Sequence, residues 1–258
     1  MKPVIVIKIG GRSLEKEEAL TSLLSEICGL DDDYSFVLVH GGGAVVSGIQ
    51  KKYDIEPVFE NGLRMTSSGE MDIVDMGLAG KVNTSLVRKC RMAGLDAVGL
   101  SGSDGGLFSG VSLGKYKGAK NHSGKVSLVD VRLLQLLLDN GYFPVVNSVS
   151  MDIEGDGINI NADEAAFPLA SALQAQSLIF ISDIPGVMIN SKVIPCMNET
   201  AVEAAIKDGE ISGGMIPKTL SSLIALKEGV NNVVIGDYLA DGDLKKSIEF
   251  RKGTRIIK

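Results

Sequence analysis

Lys8 stands near the end of an apolar run, Val4-Ile5-Val6-Ile7-Lys8-Ile9, and is followed at once by Gly10 and Gly11. An ammonium carried into a buried strand is costly unless something negative meets it. Two further strand-like runs also end in glycines, as His40-Gly41-Gly42-Gly43 and Ser101-Gly102-Ser103-Asp104-Gly105-Gly106. Glycine lets a backbone come close to a ligand, and successive N–H groups ahead of a helix make a nest for an anion. Any one such loop is an ordinary strand-to-helix turn. Three of them with Lys8 point to a polyphosphate or a similar anion. The spacing is not a familiar nucleotide signature: no G-x-x-x-x-G-K-[ST] occurs, and Gly41-Gly42-Gly43 runs into Ala44-Val45-Val46.

Other chemistries are narrowed by what the chain lacks. His40 and His122 are the only histidines, and Cys28, Cys90 and Cys196 are odd in number and far apart. A histidine-rich metal centre and a disulfide framework are thereby excluded. Catalysis has to run on carboxylates, lysines, backbone amides and a metal brought by the substrate. Gly110-Val111-Ser112-Leu113-Gly114 matches the nucleophile-elbow pattern of hydrolases, and an HGGG loop can form an oxyanion hole. However, only His122 follows Ser112, no acid fits between them in the required order, and no helix begins there.

The elements that must position these residues are those of an α/β protein. Mean hydropathy is +0.20. The 258 residues include 31 glycines and few aromatics, which fits apolar strands covered by helices on both faces. Strands are predicted at 4–9, 36–40, 97–100, 143–146, 178–182 and 233–235. Leu20, Leu23, Leu24 and Ile27 share one face of a helix within 15–30, and Val74, Leu78, Val82 and Leu86 mark a longer one over about 70–93. Runs at 107–113 and 125–129 flank a polar loop and read as a hairpin before a helix at 130–140, with Asp130 as its N-cap. The expected fold is a three-layer α/β/α sandwich with a mostly parallel central sheet. It is one continuous unit, 1–258, with an N-lobe of about 1–170 and a C-lobe of about 171–258. A net charge of −6 without a basic cluster argues against nucleic acid. No membrane span and no signal peptide are read, so a cytoplasmic protein is expected.

Two more stretches complete the pattern: Asn159-Ile160-Asn161-Ala162-Asp163-Glu164-Ala165-Ala166 and Ser212-Gly213-Gly214-Met215-Ile216-Pro217-Lys218. With KIGG, HGGG and Asn61-Gly62-Leu63-Arg64 in this order, the chain resembles the amino-acid kinase family over nearly its whole length. The resemblance is strongest to the branch that phosphorylates the side-chain carboxylate of N-acetyl-L-glutamate in arginine biosynthesis. It implies that Lys8 and Lys218 steady the transferring phosphoryl group from opposite lobes, and that Asp163 positions both. It further implies that Gly10, Gly11, Gly42 and Gly43 hold phosphate oxygens through backbone amides. Arg64 and Asn159, with Gly42 and Gly43, match the grip on the acetylated amino acid. Ser182, Asp183, Ile184, Pro185, Gly186, Val187, Glu210, Ile211 and Ser212 fall where the family binds nucleotide. ATP with Mg2+, held mainly by the phosphates and not by a protein metal site, is the implied co-substrate.

The chemistry suits the residues. A carboxylate acceptor with a pKa of about 4.3 is ionised at neutral pH and needs no general base. An anion attacking an anionic phosphorus needs charge neutralisation and positioning instead. Each residue also has a plainer role: Lys8 as a snorkelling edge residue, Asp163 as a helix cap, Arg64 as a surface ion pair. Rival acceptors are those of the aminoadipate-type and uridylate kinases, and a non-catalytic nucleotide or amino-acid sensor is the rival of another class. Ser103, and Phe167 with Pro168, depart from the family pattern. The first strand starts near residue 3, which by the resemblance implies an arginine-insensitive homodimer joined through the long helix after Thr66.

Overall fold

The computed structural model describes residues 2–10, 13–14, 16–60 and 63–258. Along the chain, β1 (Val4–Ile9) and α1 (Glu17–Gly29) precede β2 (Ser35–His40), α2 (Gly43–Lys52), β3 (Val58–Glu60) and β4 (Leu63–Met65). One helical stretch follows, made of α3 (Ser68–Asp75), a π-helical segment Met76–Asn83, and α4 (Thr84–Met92). Then come β5 (Ala97–Leu100), β6 (Phe108–Ser112), β7 (Lys115–Tyr116), β8 (Ala119–Lys120), β9 (Ser123–Val129), α5 (Arg132–Asp139), β10 (Phe143–Asn147), β11 (Val149–Met151) and β12 (Gly157–Ile160). The remainder is α6 (Ala162–Ala172), β13 (Ser177–Ile181), β14 (Met188–Ile189), β15 (Lys192–Val193), β16 (Cys196–Met197), α7 (Glu199–Lys207), α8 (Met215–Lys227), β17 (Val233–Gly236), α9 (Asp243–Ile248) and β18 (Thr254–Ile256).

These elements form two compact units, Met1–Val37 with Ala166–Lys258, and Leu38–Ala165. The expected lobes placed residues 1–37 with the rest of the first 170. The structure sorts them with the C-terminal part because β1 pairs in parallel with β13, Ile5 opposite Ser177 through Ile9 opposite Ile181. In this first unit β13 also pairs in parallel with β17, and β17 turns back antiparallel onto β18. Ile5, Val6, Ile7 and Ile9 are all buried. A strand covered on both faces is what the unbroken apolar run encodes. Leu20, Leu23, Leu24 and Ile27 of α1 are buried as their spacing predicts. Glu26 on the same helix accepts from the backbone N–H groups of Gly242, Leu244 and Lys245, and so caps α9 from a distance in sequence.

In the second unit β10 pairs in parallel with β2 and with β5. Strands β11, β12, β9 and β6 close into a small barrel. The predicted hairpin is its β6–β9 pair, antiparallel with a bulge between Ser109 and Gly110. Val46, Met71, Ile73, Val74, Leu78 and Val149 make a core cluster that binds α2 to the long helical stretch. Truncating Met71, Ile73 or Leu78 to alanine costs about 2–5 kcal/mol. Among the described residues no helix is long and apolar enough to cross a membrane.

Candidate functional site

The residues singled out in the sequence fall into two groups, one in each compact unit. In 38–165 the His40-Gly41-Gly42-Gly43 turn leads directly into α2, with Gly42 at the N-cap position. A Cβ on Gly42 would lie 2.8 Å from Val82 Cγ2 and 2.9 Å from Leu78 Cδ2, so only glycine lets the turn pass this close to the π-helical segment. His40 fixes the turn from within the core. Its Nδ1–H donates to the Gly41 carbonyl at 2.8 Å, and its Nε2 accepts from Asn83 Nδ2 at 3.0 Å. Asn83 also donates to the Val145 carbonyl. The imidazole is thereby committed to structure, and neither it nor Asn83 announced that role in the sequence.

Arg64 on β4 is held by one face of α2. Its guanidinium donates to the Gly43 carbonyl at 3.0 Å, to Ser47 Oγ at 2.7 Å and to Gln50 Oε1, three positions spaced i, i+4 and i+7. The Phe59 ring lies 4.7 Å from its Cζ. Gln50 is held in turn by buried Glu70, which also accepts from the Ser67 N–H in a capping box that starts α3. Burial lowers the Arg64 pKa and Glu70 partly offsets this, but the group stays charged. A half-buried cation thus sits beside a glycine turn at a helix N-terminus, two features that both favour an anion.

Asn159 on β12 joins this group through Thr66, as its Nδ2 donates to Thr66 Oγ1 at 3.1 Å. Asp163 lies half-buried in the first turn of α6, whose cap is Asn161: its Oδ1 accepts the Asp163 N–H at 2.9 Å. The capping role considered for Asp163 belongs to Asn161. Burial, and then neighbouring Asp163, raises the Glu164 pKa against the pull of Lys125. The third glycine loop does not behave as an anion nest. The Ser101 N–H is accepted by Asp104 Oδ2 and the Gly102 N–H by the Val149 carbonyl of β11, so these two donors are taken up within the protein. Ser112 lies within β6 and donates to the Asn121 carbonyl, while His122 Nδ1 donates to Gly157, which leaves no nucleophile–base pair.

In the unit of 1–37 and 166–258, Lys8 keeps only 8 % exposure near the end of β1. Gly10 follows, its N–H donating to Ile181 at 3.0 Å, and a Cβ there would lie 3.9 Å from Lys8 Nζ. Gly11 lies outside the described residues, as do Asn61 and Gly62. Lys8 faces Phe180 across the β1–β13 pair, and residues opposed in this way share a face. The Lys218 ammonium, from α8, sits 5.1 Å from the centre of the same Phe180 ring. Phe167, unexpected in the family pattern, packs on Phe180 with ring centres 4.9 Å apart. Both lysines therefore belong to one compact unit, Lys218 over the Phe180 ring and Lys8 on the strand position paired with it, whereas the resemblance implied opposite lobes.

The Ser182–Val187 loop follows β13 and is held by its neighbours. The Ser182 N–H donates to the Gly236 carbonyl at 2.8 Å and the Val187 N–H to Thr254 Oγ1 at 2.7 Å. Gly253 makes this fit possible: at φ +84° a Cβ would come 2.6 Å from the Ile235 carbonyl. Asp183 is exposed, whereas Ile211 is buried, and Glu210 and Ser212 beside it are exposed. Below the loop, Lys252 bridges Asp237 at 3.0 Å and Asp243. Burial raises the Asp243 pKa, but Lys252, the Leu239 and Ala240 N–H groups and Lys246 outweigh it and bring the carboxyl to about 2.

The chain belongs to the amino acid kinase family, whose model matches residues 3–237. Among similar sequences, the acetylglutamate kinase of Kosmotoga olearia is 36% identical over 89% of this chain and 82% of its own. That of Geobacillus kaustophilus is 38% identical over 91% and 90%. Among solved structures, smu.665 from Streptococcus mutans UA159 is similar at 31% identity and a TM-score of 0.84, covering 100% of this chain and 99% of that one. N-acetylglutamate synthase from Neisseria gonorrhoeae, at 22% identity over 99% of this chain and 59% of its own, shares the fold with a TM-score of 0.86.

Proposed function

We propose that this chain transfers the terminal phosphoryl group of ATP to the side-chain carboxylate of N-acetyl-L-glutamate, giving ADP and an acyl phosphate, a step of arginine biosynthesis. The observation that carries the reading is Arg64, fixed by one face of α2 beside the Gly42–Gly43 turn. A planar cation held this way suits the α-carboxylate of an acylated amino acid, and the near-full-length acetylglutamate kinases support that choice of acceptor.

The acceptor arrives ionised, so the chain supplies no base and its task is charge and alignment. Arg64 and Asn159, with the Gly42 and Gly43 amides, grip the amino acid. Lys8 and Lys218 offset the charge that builds on the transferring phosphoryl group, and Asp163 orients them in the working enzyme. Gly11 adds a backbone donor, whereas the Gly10 N–H is already taken by the Ile181 carbonyl, so the phosphate contact expected of it falls away. Residues 182–187 and 210–212 hold the nucleotide. Among the described residues no three His, Cys, Asp or Glu side chains gather to hold a metal. Mg2+ belongs to the nucleotide, where it lowers the charge of the phosphates. The working state in this reading is a cytoplasmic homodimer, checked by light scattering.

Hydroxylamine trapping with MgATP tests the reaction, run in parallel with N-acetylglutamate, glutamate, aspartate and N-acetylaminoadipate. Hydroxamate with N-acetylglutamate alone is the expected result. No hydroxamate with any of the four, from protein that binds ATP, would favour a sensor or a non-carboxylate acceptor.

A further inference from the structure

Thr66 lies between β4 and the capping box, fully buried, and every polar atom it carries is engaged. Its N–H is accepted by Asn121 Oδ1 at 3.3 Å, and its carbonyl accepts the His122 N–H at 2.8 Å. Its hydroxyl touches three partners: the Arg64 carbonyl at 3.2 Å, Asn159 Nδ2 at 3.1 Å and Ser123 Oγ at 3.2 Å. A hydroxyl has one proton and two lone pairs. The Ser123 hydroxyl also donates to the Arg64 carbonyl, so the Thr66 proton goes to that carbonyl or to Ser123 Oγ, and in either case a lone pair faces Asn159. Asn159 must then present its NH2 group to Thr66 and not its oxygen, because an oxygen there would meet a lone pair. The surrounding chain locks the arrangement: Asn121 Oδ1 also accepts the Ser123 N–H at 3.0 Å, and the His122 carbonyl accepts the Asn159 N–H at 2.7 Å.

We propose that Thr66 is a positioning residue for acceptor binding, tying the backbone of Arg64 to the side-chain amide of Asn159 and fixing which end of that amide faces the ligand. This rests on the reading that Arg64 and Asn159 grip the acceptor. Thr66 does not touch the substrate itself. With one N–H of Asn159 committed, its carbonyl oxygen and second N–H remain for the amide of an acylated amino acid. Without Thr66 Oγ1 the Asn159 side chain loses the bond that selects this orientation.

The test is titration calorimetry of the full chain with N-acetylglutamate and, separately, with MgADP, together with steady-state kinetics. Thr66→Val keeps the side-chain shape and removes the hydroxyl. It is expected to weaken N-acetylglutamate binding roughly tenfold and raise its KM in parallel, with kcat at saturation within about threefold and MgADP affinity unchanged. Thr66→Ser is expected to restore acceptor binding to within about threefold. Wild-type affinity in Thr66→Val overturns the proposal, as does equal weakening of acceptor and nucleotide. If Thr66→Val fails to fold, hydrogen exchange of the Asn159 side-chain NH2 in the wild-type protein decides. Protection supports the bond, and exchange as fast as at an exposed asparagine overturns it. Wild-type protein that does not bind N-acetylglutamate at all would refute the acceptor reading, and the exchange measurement would still judge the Thr66–Asn159 bond.

Discussion

Each compact unit holds its cations in its own way. Arg64, in 38–165, is fixed by directed hydrogen bonds from one helix face, backed by Gln50 and Glu70. Lys8 and Lys218, in the other unit, are set about buried Phe180, one on the strand position paired with it and one over its ring. The difference follows from the groups. A guanidinium is a planar fork that needs its partners at set angles, whereas an ammonium is a point charge on a flexible stem that packing can place. In the proposed reading the Arg64 side serves recognition by shape, and the lysine side neutralises charge that appears only during transfer.

The sharpest way to break this contrast is to exchange the cations. Lys8→Ala and Lys218→Ala are each expected to lower kcat by ~100-fold or more while N-acetylglutamate affinity stays near wild type. Lys8→Arg should rescue little, since a buried point-charge position has no room for the fork. Wild-type turnover in Lys8→Arg would refute the division of roles. Next in size, Arg64→Lys keeps the charge and loses the fork, and should raise the acceptor KM by ~10- to 100-fold with the nucleotide KM unmoved, as read from initial rates.

The ion-paired corner beside the 182–187 loop offers a third arrangement to set against these two. The Asp243 carboxyl is depressed from 3.8 to about 2. Its contribution is fully present above the unfolded value and is lost as pH falls through about 2. At neutral pH it amounts to about 2 kcal/mol. Asp243→Asn should therefore lower unfolding stability by that order near pH 7, and the gap to wild type should narrow between about pH 4 and pH 2, as followed by urea titration at each pH. The smallest effect sharpens the packing side: Phe180→Leu keeps an apolar contact but removes the ring under Lys218, and should lower kcat by about fivefold, in line with the ~1 kcal/mol of a cation–π contact. An unchanged kcat would mean that the ring only fills space.

The buried β1 strand was the most legible part of the fold, and both it and the more exposed β5 have the bounds that their apolar runs predict. The barrel strands β11 and β12 are three and four residues long, too short to carry a period, and β12 pairs in parallel with the distant β9. The grouping of 1–37 with 166–258 was hidden for the same reason, because no local pattern names a parallel partner. The π-helical segment did leave a trace. Apolar residues at 74, 78, 82 and 86 recur every four, a spacing that drifts by about 40° per step on a 3.6-residue helix, so keeping all four on one face requires wider turns. At the site, the motifs marked Lys8, Arg64 and Asn159, but not what holds them. Phe180 reads as one more core aromatic, and Thr66 as one more threonine before a helix.

The pairing of β1 with β13 also sets an order of assembly. Residues 38–165 form an unbroken stretch that can close its own contacts soon after it is made. Ile5 must wait for Ser177. At roughly 5–20 residues per second of synthesis, that leaves the apolar β1 strand without this partner for roughly ten to thirty seconds. During that interval the β13-facing edge of this apolar strand is open to chaperones and to other nascent chains, and the lysine it carries gains its setting only when the last third of the polypeptide arrives.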